Sequence, residues 1–107
     1  MGTTTTSDSG SSDELLRRAG AGDPHALAEL FARYRGRLRR MVRLRLDRRL
    51  RGRVDPSDVL QEAQVEILRR VAEYAADPRL PPFLWLRLIT GQLLSALHRR
   101  QLGRNPL

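Results

Sequence analysis

The sequence predicts an all-α bundle of three long helices plus a short N-terminal helix. Three observations carry that prediction. Apolar residues recur at i, i+3, i+4 and i+7 over long windows. Asp23-Pro24 and Asp55-Pro56 each offer a capping side chain followed by a residue that needs no backbone N–H. The one strand-like alternation, Arg43-Leu44-Arg45-Leu46, has no second strand to pair with, so helix is the better reading there as well.

Taken in order, Met1 to Ser11 is a Thr, Ser and Gly run without apolar periodicity, expected as a disordered tail. Ser12 or Asp13 caps a short helix through Leu15, Leu16 and Arg18 that stops at Gly20 and Gly22. Asp23-Pro24 opens a long helix with Leu27, Leu30, Phe31, Tyr34, Leu38, Met41 and Val42 on its apolar side. Gly36 inside it costs about 1 kcal/mol relative to alanine and allows a slight bend. This second helix is expected to fray near Arg48 into a basic connection broken by Gly52.

Asp55 or Ser57 caps the third helix, with Pro56 in its first turn. At about 100° per residue, Leu60, Ala63, Ile67, Leu68, Val71 and Tyr74 gather on a core face. Asp58, Glu62, Glu66 and Glu73 gather opposite. Ala75 to Pro78 end the helix, and Pro78, Pro81 and Pro82 stiffen the loop that follows. A fourth helix runs from about Pro82 to Leu102. Phe83, Leu86, Ile89, Leu93, Leu94 and Leu97 form its apolar side, and Arg87, Gly91, Gln92, Ser95, His98 and Arg99 its polar side. Leu84 and Leu88 fall among the polar residues, and Trp85 falls at the edge. Residues 12–103 are thus one helical domain, and residues 104–107 are a tail.

Composition narrows the function. A chain of 107 residues has room for one core and little else. It has no cysteine, which excludes disulfides and thiolate metal sites and fits a cytoplasmic protein. No apolar run approaches a membrane span, and the N-terminus lacks the regions of a signal peptide. His25 and His98 lie on different helices without metal-ligand spacing, and there is no glycine-rich phosphate loop or Ser/His/Asp set. No catalytic residue, metal or cofactor is expected, and binding is the better class of function.

All 20 basic residues are arginine, which a GC-rich genome would explain, so their distribution says more than their number. Between Arg33 and Arg53 stand 11 arginines and one acid, Asp47. Between Asp55 and Asp77 stand six acids and two arginines. Charge segregated in this way, in a chain of net charge +8, suggests two different partners. The arginine stretch itself reads as codon bias on a solvated face or as an electrostatic surface for nucleic acid.

Three stretches resemble a family. Val54-Asp55-Pro56-Ser57-Asp58-Val59-Leu60-Gln61-Glu62-Ala63 resembles the start of conserved region 2.2 of bacterial RNA polymerase sigma factors. Phe83 to Ile89, with Leu97-His98-Arg99-Arg100, is similar to regions 2.3 and 2.4 of the small extracytoplasmic-function sigma factors. Asp23-Pro24-His25-Ala26-Leu27, with Leu30, Phe31 and Tyr34-Arg35, is similar to their region 2.1. The resemblance covers roughly Ser12 to Gly103 and implies a sigma region 2 type of domain.

The resemblance implies that the third helix docks on the clamp helices of the RNA polymerase core's largest subunit through Asp58, Gln61, Glu62, Gln64 and Val65. An acidic stripe complements a basic coiled coil. The bland alternative is a solvated face supported by pairs such as Glu66 with Arg70. The resemblance further implies that the loop Asp77–Pro82 and the fourth helix recognise and melt the promoter's minus-ten element. Arg79, Arg87, Gln92, Ser95, His98, Arg99 and Arg100 would then supply phosphate contacts and base-edge readers. Leu84 and Leu88 would be a wedge or a stacking partner. Trp85 reads as a core residue before a base-stacking one, and His98 reads first as an ordinary surface histidine.

Members of that family carry a further domain with a helix-turn-helix, which this sequence to Leu107 does not show, so a fragment or a single-domain relative is expected. Three functions follow: promoter recognition, an interaction module that binds polymerase or an anti-sigma protein without melting DNA, and a basic nucleic-acid-binding bundle with no polymerase partner.

Overall fold

Proline opens each long helix. A computed structural model describes residues 8–103, with side chains from Ser12 onward. Its helices are α1 (Asp8–Gly20), α2 (Pro24–Arg45), α3 (Pro56–Ala76) and α4 (Pro82–Leu102), with a short 3-10 turn at Arg48–Leu50. No β-strand forms among the described residues, and the one bridge joins Arg51 to Val54. The expected all-α class and the three proline starts are therefore observed.

Each start has a local cause. The Asp23 carboxylate accepts from the His25 and Ala26 N–H groups at 3.0 and 3.2 Å, satisfying two donors that lack helical partners. The Ala26 N–H is the main reason that the Asp23 carboxyl sits below its usual range. At α3 the cap is Asp55, not Ser57: its carboxylate accepts from the Ser57 N–H at 2.9 Å. α4 begins after Pro81 without a side-chain cap.

α1 departs from expectation at its start. It begins at Asp8, and Ser12 lies inside the helix, fully buried, with its hydroxyl 2.7 Å from that of Tyr34. Ser12 is therefore a core hydrogen-bonding partner and not a cap. Residues 8–11, expected within a disordered tail over 1–11, are instead the first turn of α1, while residues 1–7 of that tail and the tail 104–107 lie outside the described residues. At its other end, a Cβ on Gly20 would collide with the Ala75 side chain, so glycine is what lets α1 close on α3. Gly22, at φ 104°, turns the chain toward α2 in a conformation side chains disfavour.

The core runs through all four helices. Leu30, Leu38 and Val42 of α2 are fully buried with Leu60 and Ile67 of α3 and Leu86 of α4. Leu68, expected in that core, is 55% exposed, while Val59 is buried in its place. The buried face centres on Ala63, Ile67 and Tyr74, and one residue past Ile67 is a rotation of about 100° out of the core. The connection after α2 is better anchored than a frayed end would be, because Leu46 and Leu50 are both buried. In α4, Trp85 is buried as expected, stacked on Tyr74 with ring centroids 4.2 Å apart. Thr90 is also fully buried, and its hydroxyl donates to the Leu86 carbonyl at 2.8 Å.

Candidate nucleic-acid interface and docking face

The outward side of α3 is divided in two. Asp58, Glu62 and Glu73 are exposed and form no ion pair among the described residues. Glu66 is different: it pairs with Arg70 at 2.7 Å and Arg69 at 3.6 Å. Next to these acids, Gln61, Gln64 and Val65 line a shallow groove with Leu68 and, from α2, Pro24, Leu27 and Ala28. Of the five residues expected to dock, the structure thus places three in an apolar groove and two, Asp58 and Glu62, among the acids of α3. Leu68 was missed as a surface residue because its spacing fits the core face almost as well as Val59 does.

The residues expected to meet DNA are dispersed more widely. Arg87, Gln92, Ser95 and Arg99 share one exposed side of α4 with Leu84 and Leu88, which are 41% and 46% exposed. Arg100 is exposed but falls on the opposite side by helical periodicity. Gln92 accepts from the Arg70 guanidinium at 3.4 Å, linking this side to α3. His98 is half-buried, and its Nε2 accepts the Asp47 N–H at 3.1 Å, so it joins α4 to the end of α2. Nothing in the spacing of His98 pointed to that role.

The loop between α3 and α4 is held from beneath. The Tyr74 hydroxyl donates to the Leu80 carbonyl, and the Tyr74 ring stacks on Trp85. Burial, then the Asp13 charge, pushes the Tyr74 hydroxyl above its ordinary pKa, which keeps it a donor. Arg79 folds back on Asp77 at 3.0 Å. A cleft opens here between α1 and the loop, lined by Leu16, Tyr74 and Pro82 with Asp13, Arg17 and Arg79 among its charged groups.

The arginine stretch is the strongest electrostatic feature. Of its 11 arginines, Arg33 pairs with Glu29, and Arg49 pairs with Asp47 at 3.0 Å. The Arg49 guanidinium and backbone N–H together hold the Asp47 carboxyl down at about 2. Arg37 lies 3.9 Å from the ring centroid of Phe83 on α4.

α1 and α2 are joined by Ala21-Gly22-Asp23, the length and composition of the turn in a helix-turn-helix pair. Fold and turn together define a small helical module of the helix-turn-helix kind. Residues 13–75 match the family model of a helix-turn-helix domain, a DNA-binding type of domain, and the chain belongs to that family. No curated protein and no solved structure matches it. The match covers α1 to α3 and ends before the loop and α4. The resemblance seen in the sequence implied a helix-turn-helix only in a further domain, whereas the family match lies within residues 13–75. No helix among the described residues is long and apolar enough to cross a membrane.

Proposed function

We propose that this chain is a cytoplasmic binding module of the sigma region 2 type, not an enzyme. In this reading α3 docks on the clamp helices of RNA polymerase, and the α3–α4 loop with α4 recognises and melts the minus-ten promoter element. The observation that carries the reading is the outward side of α3. It offers an apolar groove at Gln61, Gln64 and Val65, with the carboxylates of Asp58 and Glu62, which form no ion pair among the described residues, on the same helix. A groove of that kind fits a partner that is both basic and amphipathic, as a coiled coil of clamp helices is.

The proposed DNA contacts are Arg79, Arg87, Gln92, Ser95, Arg99 and Arg100, with His98 positioning the helix that carries most of them. The cleft under the loop has a volume of 580 Å³ and an aromatic wall in Tyr74, which suits a base withdrawn from the stack.

A pull-down of the clamp-helix fragment by the full chain tests the docking. Glu62→Arg should weaken capture by a few kcal/mol and Gln61→Ala less. Capture indifferent to both substitutions overturns the proposal. Promoter recognition is tested separately by binding of a single-stranded non-template minus-ten oligonucleotide against a scrambled one. A second reading has its own support, because Arg79 and His98 are already engaged within the chain. In that reading the domain binds polymerase or an anti-sigma protein without melting DNA, and the two oligonucleotides bind equally.

A further inference from the structure

The proposed function leaves the arginine-rich half of α2 unused. Beside it lies a groove of 730 Å³, with Arg39, Arg40 and Arg43 of α2 on one wall and Arg51 of the connection on the other. Gly36 and Gly52 line the same groove and keep side chains out of it. The connection is held in place by the fully buried Leu50, so both walls belong to the folded core. A second groove runs along α2 toward α4, lined by Arg37, Arg45 and Arg87. Arg40 and Leu44 line both grooves, which makes them the crest of a single ridge, and Leu44 there is 70% exposed.

Among the described residues, no carboxylate neutralises the guanidinium groups on this ridge. Arg40, Arg43 and Arg51 meet no carboxylate among the described residues, and Arg39 reaches the Ser57 hydroxyl at 3.4 Å. Carboxylates exist on α3, yet Asp58 and Glu62 do not turn to them. Clustered like charges repel, and a polyanion relieves that repulsion. The first groove has no aromatic ring in its lining, so it offers no platform for unpaired bases. It offers planar guanidinium forks, which suit phosphate oxygens.

We propose that this ridge grips the sugar–phosphate backbone of double-stranded DNA through Arg39, Arg40, Arg43 and Arg51, a second contact beside that of the loop and α4. The contact uses the C-terminal half of α2 and the connection, not the N-terminal turn that a helix-turn-helix pair aims at base edges. The inference rests on the DNA-binding character of the family and needs neither polymerase docking nor minus-ten capture.

The test is anisotropy of a labelled, scrambled duplex of roughly 20 base pairs, about two helical turns, titrated with the full chain over a range of salt. Replacing Arg40, Arg43 and Arg51 together by Gln should lower the slope of log affinity against log salt by roughly 2 to 3. Binding near physiological salt should fall at least about tenfold, while the matching Lys triple keeps the slope. Helical circular dichroism checks the fold, and if the Gln triple unfolds, each single Gln variant should lower the slope by roughly 0.9. Clamp-helix capture should be the same in wild type and variant, so failure of docking and failure of this grip are separate results. An unchanged slope and affinity in the Gln variants overturn the proposal. So does low-salt self-association that the substitutions abolish while duplex binding persists, since the ridge would then receive the acidic face of a second copy.

Discussion

The outer side of α3 and the C-terminal half of α2 are neighbours of opposite charge that scarcely speak to each other. The ion pairs Glu29–Arg33, Asp47–Arg49 and Glu66–Arg70 join near neighbours in sequence, and between α2 and α3 Arg39 reaches the Ser57 hydroxyl. The two faces also differ in what accompanies the charge. On α3 it borders an apolar groove at Val65 and Leu68, whereas on α2 it surrounds an open groove with glycine in its lining. Exposed ion pairs within one chain contribute at most about 1 kcal/mol, so leaving them unmade costs the fold little. What it preserves is a pair of surfaces of opposite chemistry, one acidic and partly apolar, the other rich in arginine.

The most forceful way to break the contrast is to remove what both faces share. Leu60→Ala deletes fully buried side-chain volume at the centre of the bundle and should cost about 3 kcal/mol in denaturant melts. Polymerase and duplex binding should then fail together. His98→Ala should separate them. It leaves the half-buried Asp47 N–H without its acceptor, a loss of about 1 to 2 kcal/mol, and loosens the connection that carries Arg51. Duplex binding should weaken while clamp-helix capture is unchanged, and equal loss of both would show that the faces are mechanically coupled.

The smallest effect is a matter of pH. Asp47 has a folded pKa of about 2, below its ordinary value of 3.8, chiefly because Arg49 donates to it. A depressed carboxyl stabilises the fold above its unfolded pKa, and that stability is lost as pH falls through the folded one. Thermal melts should therefore drop between about pH 4 and 2, the interval between unfolded and folded values, and Asp47→Asn should flatten part of that drop.

Much of this architecture is legible in the sequence, and the exceptions have physical reasons. Asp-Pro pairs announce α2 and α3 because the cap and the missing N–H are local chemistry. Leu68 illustrates the limit of periodicity: a residue at the edge of an apolar arc is decided by which neighbour arrives, and α2 leaves it open beside Pro24 and Ala28. Ser12 reads as a cap, and Thr90 gives no signal of its own, because their partners, Tyr34 and the Leu86 carbonyl, emerge only once the helices are formed. His98 is similar. Its partner is a backbone N–H 51 positions away, for which no side-chain spacing exists. On the candidate surfaces, the unequal charge of the two helices was readable, but the grooves beside them were not.

The clamp on the α3–α4 loop bears on how fast and how tightly anything binds there. Pro78, Pro81 and Pro82 restrict its backbone, and Tyr74 holds it by one hydrogen bond to Leu80 while stacking on Trp85. A segment fixed in this way has little conformational entropy left to lose on association, which commonly amounts to about 0.5 to 1.5 kcal/mol for each side chain ordered at an interface. A partner would meet a rigid lip at this end of the bundle, and its complex would form without a folding step at the loop.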